Sequence, residues 1–174
     1  MAKRKLEMPP FPKLSWDGYS WRGSSRLRFY RSDGSQELCV HMWNSPADEE
    51  VEAAAAPLPT TAQVAAYARL TAVDSPLRTV LLPAFRERVP QLTTADWDAL
   101  VNSFHLSHAS IFRAELEEES YLAFSFHCVR REWGHDISSG VITHRERLVY
   151  FGDVEDTWDD KLIREDLLRL KPKK

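Results

Sequence analysis

The sequence predicts a single α+β domain, a mainly antiparallel sheet of six to eight strands with short helices packed on one face and a helix at the carboxy terminus. Three observations carry this. Apolar–polar alternation flanks tight turn dipeptides near the amino terminus, helical periodicity fills residues 60–104, and alternation returns between Tyr121 and Phe151. With 174 residues, 43% of them hydrophobic, the chain is long enough for one core and too apolar for disorder. The ends, residues 1–10 and 171–174, read as loose.

Trp16-Asp17-Gly18-Tyr19 places a two-residue turn between aromatic flanks and predicts a first hairpin. A second is predicted where Leu27 and Phe29 alternate with Arg26, Arg28 and Tyr30, turn through Ser32-Asp33-Gly34-Ser35, and return as Leu38, Val40 and Met42 alternating with Glu37, Cys39, His41 and Trp43. Residues 44–59 read as a connector, in which Ser45-Pro46-Ala47-Asp48 can cap one short helix that stops before Pro57-Leu58-Pro59. Val64, Tyr67 and Ala68 then define one helix face, and Leu77, Val80, Leu81, Ala84, Phe85 and Val89 a second that Pro83 should kink or split. Thr93-Thr94-Ala95-Asp96 resembles a capping box before Trp97, Leu100, Val101 and Phe104 at helical spacing. Strands follow at Tyr121–Val129, Val141–His144 and Leu148–Phe151, and Thr157-Trp158-Asp159-Asp160 caps a last helix with Ile163, Leu167 and Leu170 in line.

Charge narrows the partner class. The net charge is −3, but residues 1–47 carry eight basic and four acidic side chains, a net +4, against fifteen and twenty-two, a net −7, in the remainder. The acid gathers in two clusters, Glu115 with Glu117, Glu118 and Glu119, then Asp153, Glu155, Asp156, Asp159 and Asp160, with no Lys or Arg from Leu148 to Asp160. A pI near 6.1 argues against a phosphate-binding cationic face and for a basic partner. Met1-Ala2-Lys3-Arg4-Lys5 is followed by Leu6-Glu7-Met8-Pro9-Pro10, not by the apolar run of an export signal, and no stretch approaches the roughly 20 apolar residues of a membrane span. Cys39 and Cys128 lack CxxC spacing and read as reduced, packed thiols, so a cytoplasmic protein is expected.

Chemistry is sparse. His105 and His108 would share a helix face, and Glu132, His135 and Asp136 lie close in sequence, a set from which a small metal-dependent hydrolase could be built. No spacing matches HExxH, and surface or capping histidines are the stronger reading, so no metal or cofactor is expected. Ser138-Ser139-Gly140 lacks the flanking glycine of GxSxG, neither cysteine precedes a helix, and six glycines form no phosphate loop. With no visible nucleophile–base pair, an enzyme is not expected.

Solvated faces usually explain charged runs, and Glu117–Glu119 read as a loop before a strand. The second cluster encloses Trp158, the composition of a recognition patch whose aromatic anchors and whose charges steer. Trp158 as a staple of the last helix is the competing reading.

Tyr121-Leu122-Ala123-Phe124-Ser125-Phe126-His127-Cys128, Glu132-Trp133-Gly134-His135 and Gly140-Val141-Ile142-Thr143-His144 through to Gly152 resemble the carboxy-terminal half of a bacterial immunity-protein-like domain family of unknown function. Pro59–Ala72, with Gln63, is similar to its middle helix, so the resemblance covers mainly residues 59–160. Genes of that family often lie among polymorphic-toxin genes, and the resemblance implies a fold and a setting, with no catalytic residues to carry over. Together with the acidic aromatic patch, it implies a cytoplasmic immunity-type protein that neutralises a basic toxin domain by stoichiometric binding, with no nucleic-acid or membrane partner. The residues expected to bind are Asp153, Glu155, Asp156, Trp158, Asp159, Asp160, Glu117, Glu118 and Glu119, with an exposed Trp16–Trp21 hairpin as the alternative surface. A regulatory subunit with no toxin partner is the remaining alternative.

Overall fold

The computed structural model describes residues 4–30, 35–42, 56–133, 138–158 and 160–170. Strands β1 (Lys5–Leu6), β2 (Leu14–Trp16), β3 (Ser20–Arg26) and β4 (Ser35–His41) come first, followed by helices α1 (Thr61–Thr71), α2 (Leu77–Arg88) and α3 (Trp97–Ser103). Then come β5 (Phe104–Leu116), β6 (Glu119–Cys128), β7 (Ser138–His144), β8 (Arg147–Gly152) and the terminal helix α4 (Lys161–Leu170). All eight strands form one sheet whose spatial order is the chain order. Every neighbouring pair is antiparallel except β4–β5, which is parallel and is joined by the three-helix crossover.

Local chemistry explains most boundaries. The first hairpin turns where Gly18 takes a φ of 104°, and the Asp17 carboxylate accepts from the Tyr19 and Ser20 amides at 2.9 and 2.7 Å. Helix α1 opens on a capping box: Thr60 accepts from the Gln63 amide, and Gln63 Oε1 accepts from the Thr60 amide. Asp96 caps α3 by accepting from the Ala99 amide at 2.8 Å. The predicted split at Pro83 does not occur. Helix α2 runs unbroken from Leu77 to Arg88, because Val80, Leu81, Ala84 and Phe85 on both sides of the proline are buried against the sheet.

Other expectations are corrected. Lys5 and Leu6 are not a loose end, since they pair with β2. The second hairpin is built from β3 and β4, not from residues 26–30: the strand stops at Arg26, and Leu27–Tyr30 form a turn closed by the Tyr30 amide on the Leu27 carbonyl at 2.9 Å. Leu27 and Phe29 are both fully buried, which mimics strand alternation. The predicted turn residues Ser32, Asp33 and Gly34 and the predicted helix after Ser45 lie outside the described residues. Phe104 does not end a helix; it starts β5, the longest strand. The Trp16–Trp21 hairpin is not an exposed surface either, because both indoles are buried edge-to-face at 5.3 Å and Trp21 Nε1 donates to the Pro57 carbonyl at 2.8 Å.

Helices α1, α2 and α3 cover one face of the sheet. There Leu38, Val40, Leu106, Leu122, Phe124 and Phe126 meet Leu70, Leu81 and Phe85, and Phe85 makes edge contacts with Phe104, Phe126 and Phe151 at 4.9–5.0 Å. Side chains one position along each strand point to the opposite face. Here Phe112, Tyr121, Ala123 and Ile142 form a smaller apolar cluster under Ile163 of α4. Asp166 anchors that helix, accepting from Tyr121 Oη at 3.0 Å and from both Nη atoms of Arg147. The paired guanidinium holds the Asp166 carboxyl below the usual range, against burial.

The chain between β8 and α4 folds back over this second face at Gly140. A Cβ there would sit 2.5 Å from both the Asp153 carbonyl oxygen and Thr157 Cγ2, so only glycine admits the turn so closely. Gly140→Ala is expected to cost about 1–3 kcal/mol, the usual range for overpacking. Urea denaturation measures it, and an unchanged midpoint would show that the turn is not seated there.

Candidate functional site

The second face is polar beyond the reach of α4, and this is a consequence of register. Across β3, β4 and β5, Arg22 lies opposite Cys39, Cys39 opposite Ser110, and Glu37 opposite His108. Arg22, Cys39, His108 and Ser110, with His41, line an open groove of about 400 Å³, Glu37 stands beside it next to His108, and Val154 and Trp158 of the turn on Gly140 border it. Facing the groove from β6 is His127, whose Nδ1 lies 2.9 Å from Ser138 Oγ.

A continuous polar chain crosses the groove. Asp17 holds Arg22 Nε, and Arg22 Nη1 donates to Glu37 Oε1 at 3.0 Å. Glu37 Oε2 is 3.7 Å from His108 Nδ1, and His108 Nε2 is 3.0 Å from Ser110 Oγ. Ser110 Oγ also lies 3.3 Å from His41 Nε2, and the His41 ring stacks on Phe112 at 4.6 Å with 4° between the planes. Burial lowers the His41 pKa to about 4, helped by neighbouring His108 and Arg22. Burial also lowers His108, against the pull of Glu37. Cys39 is pushed up to about 11 by burial, which leaves it a thiol and a poor nucleophile. Asp17 stays below its ordinary range despite burial, because the Tyr19 and Ser20 amides and Arg22 favour the carboxylate.

The residues expected to bind a partner, Asp159 excepted, now have a place. Glu117 and Glu118 are the left-handed turn between β5 and β6, with φ of 52° and 64°, the connection expected before a strand. Arg145 donates to the Glu117 carboxylate at 2.7 Å, and Glu119 pairs with Arg69 at 2.6 Å and with Arg145 at 3.6 Å. The charge of Glu117 and Glu119 is therefore met within the chain. Glu115 is exposed on the same hairpin. Asp160 is not a surface acid: it is 1% exposed and pairs with Arg164 at 3.0 Å. Asp159 lies outside the described residues. Asp153, Glu155 and Asp156 are exposed, and Trp158 is 61% exposed rather than stapled to α4. Tyr150 Oη fixes this turn by donating to Asp156 and accepting from the Asp153 amide at 3.0 Å, and burial with the Asp156 bond pushes its pKa up to about 12. The two acidic clusters do not merge, since one sits by His144 and the other on Gly140, about 13 Å apart along β7.

The predicted metal residues do not converge. His105 and His108 lie on β5, not on a helix; His105 is exposed, whereas His108 faces the groove. Glu132 sits in an exposed single turn near Arg130, and His135 and Asp136 lie outside the described residues. Among the described residues no three His, Cys, Asp or Glu side chains are placed to hold a metal. Sequence reasoning missed the groove, although the alternation of Glu37, Cys39 and His41 against Leu38, Val40 and Met42 had marked its β4 wall.

The architecture is thus a mainly antiparallel α+β sheet with one helix-covered face and one partly open polar face. Comparison with family models, with curated proteins and with solved structures finds no match.

The groove makes stability pH-dependent. His41 drops from about 6.5 unfolded to about 4 folded, so the unfolded chain takes up the proton first. Its contribution is complete above pH 6.5 and is lost as the pH falls through 4, with about 3 kcal/mol gone at pH 4. The urea midpoint should fall accordingly, and less steeply in His41→Gln. Parallel profiles for the two proteins would refute this origin.

Proposed function

We propose that the protein binds a basic protein partner stoichiometrically, as an immunity protein binds its toxin, through the turn Asp153–Trp158. One observation carries the reading: Asp153, Glu155 and Asp156 are exposed, form no ion pair with another described residue, and stand beside a 61% exposed indole on a turn pinned by Gly140 and Tyr150. Exposed like charges raise the encounter rate of an oppositely charged surface, and a projecting aromatic supplies apolar area once docked. Toxin domains that act on nucleic acid carry cationic clefts and fit this description. Glu117, Glu118 and Glu119 are secondary, because arginines of the same chain already neutralise two of them.

The product of a neighbouring toxin-like gene is the partner to test, and the absence of any such gene would favour a regulatory subunit instead. Reversing Asp153, Glu155 and Asp156 together to Lys should slow association with that product at least about tenfold at low salt. The difference should shrink as salt rises. A folded triple variant that associates at an unchanged, salt-independent rate would remove the turn from recognition.

A further inference from the structure

The chain of polar groups in the groove holds a hydroxyl, that of Ser110, between two imidazoles, and the partner-binding reading uses none of it. We propose that Ser110 is a nucleophile, with His108 as its base and Glu37 as the group that orients the base, and that the groove accepts small activated acyl or phosphoryl esters.

The argument rests on the direction of the hydrogen bonds. An ionised carboxylate only accepts, so Glu37 Oε2, 3.7 Å away, favours the proton on His108 Nδ1. That tautomer leaves His108 Nε2 bare to accept the Ser110 hydroxyl at 3.0 Å. Ser110 Oγ, having given its proton toward His108, accepts from His41 Nε2–H at 3.3 Å. The order carboxylate, imidazole, hydroxyl is what nucleophilic catalysis requires: the hydroxyl is within hydrogen-bond reach of the imidazole, and the carboxylate stands at ion-pair distance, 3.7 Å, from its other ring nitrogen. Burial supports it by keeping His108 neutral, and so able to act as a base, at pH 7. The Arg22 guanidinium lines the same groove and supplies a fixed cation for charge developing on the substrate oxygen. The space of about 400 Å³ is of ligand size and open to solvent beside Trp158.

With a fluorophosphonate, Ser110 Oγ attacks phosphorus, the O–P bond forms as the P–F bond breaks, fluoride leaves and the hydroxyl proton passes to His108 Nε2. With p-nitrophenyl acetate, the same attack on the carbonyl carbon expels p-nitrophenolate and leaves an acetyl ester on Ser110, which water hydrolyses with His108 again as base.

The test is intact-mass spectrometry and peptide mapping of the full chain after exposure to each reagent between pH 5 and 9. One equivalent should add, at Ser110. Ser110→Ala should abolish the adduct, and His108→Gln should slow labelling at least about a hundredfold. The rate should rise with pH as His108 gives up its proton; Arg22, Cys39, His41 and His127 line the same groove, Glu37 stands beside His108, and Asp17 holds Arg22. Glu37→Gln should shift that midpoint downward by removing a charge that favours the imidazolium, a change that a purely structural glutamate would not produce. Wild-type protein that is folded by circular dichroism yet unlabelled by both reagents would overturn the proposal. So would an adduct that persists in Ser110→Ala. Neither result bears on partner binding, which has its own test.

Discussion

The parallel pairing of β4 with β5 is the constraint from which both faces of the sheet take their character. A parallel neighbour cannot be reached by a hairpin, so the chain needs a long crossover, and α1, α2 and α3 are that crossover. The same helices supply the apolar half of the main core. Gln63 secures the junction. It is fully buried, its Oε1 closes the capping box of α1, and its Nε2 donates to the His41 carbonyl at 2.6 Å and more weakly to that of Ile111 at 3.4 Å. One side chain thus ties the start of the crossover to the end of β4 and the middle of β5. It also fixes the backbone of His41, the far end of the polar chain.

Register does the rest. Because side chains alternate across a strand, the pairing that buries Leu38 and Val40 against the helices necessarily sends Glu37, Cys39 and His41 to the other face. Across from them β5 presents His108 and Ser110. A slip of one residue would put carboxylate and imidazoles into the aromatic core, at a desolvation cost no local contact could offset. The apolar core and the polar groove are two readings of a single register. His41 and His108 are buried enough to have altered protonation equilibria and are nonetheless partnered, which is the condition for keeping them there.

Elements with local causes were legible in the sequence. The Asp17-Gly18 turn, the cap before Trp97, the strand read at Tyr121–Val129 and the terminal helix each follow from residues a few positions apart. Strand β5 was not legible. Phe104 extends the helical spacing of Trp97, Leu100 and Val101, and register irregularities between Leu106 and His108 and between Ile111 and Glu115 break the alternation that would have revealed a strand. The groove was hidden for a related reason: its walls come from β3, β4, β5 and β6, and nothing local says that β4 and β5 run side by side. Individual polar faces were visible, but their juxtaposition was not. Composition alone marks the acidic turn, but only the fold separates exposed Asp153, Glu155 and Asp156 from buried Asp160.

The sheet order has a kinetic consequence. Strands β1 to β4 and β5 to β8 are two meanders in which each strand pairs with its sequence neighbour, so most pairings close short loops and form early. Among the described strand pairings only β4–β5 spans a long separation, with Glu37 meeting His108 across 71 residues. Zipping the two meanders together is therefore the slow event of assembly, and until it occurs each half exposes an unpaired parallel edge. During synthesis the amino-terminal meander leaves the ribosome first and waits with the β4 edge open for its partner, the interval in which the chain is most prone to pair with a second copy of itself.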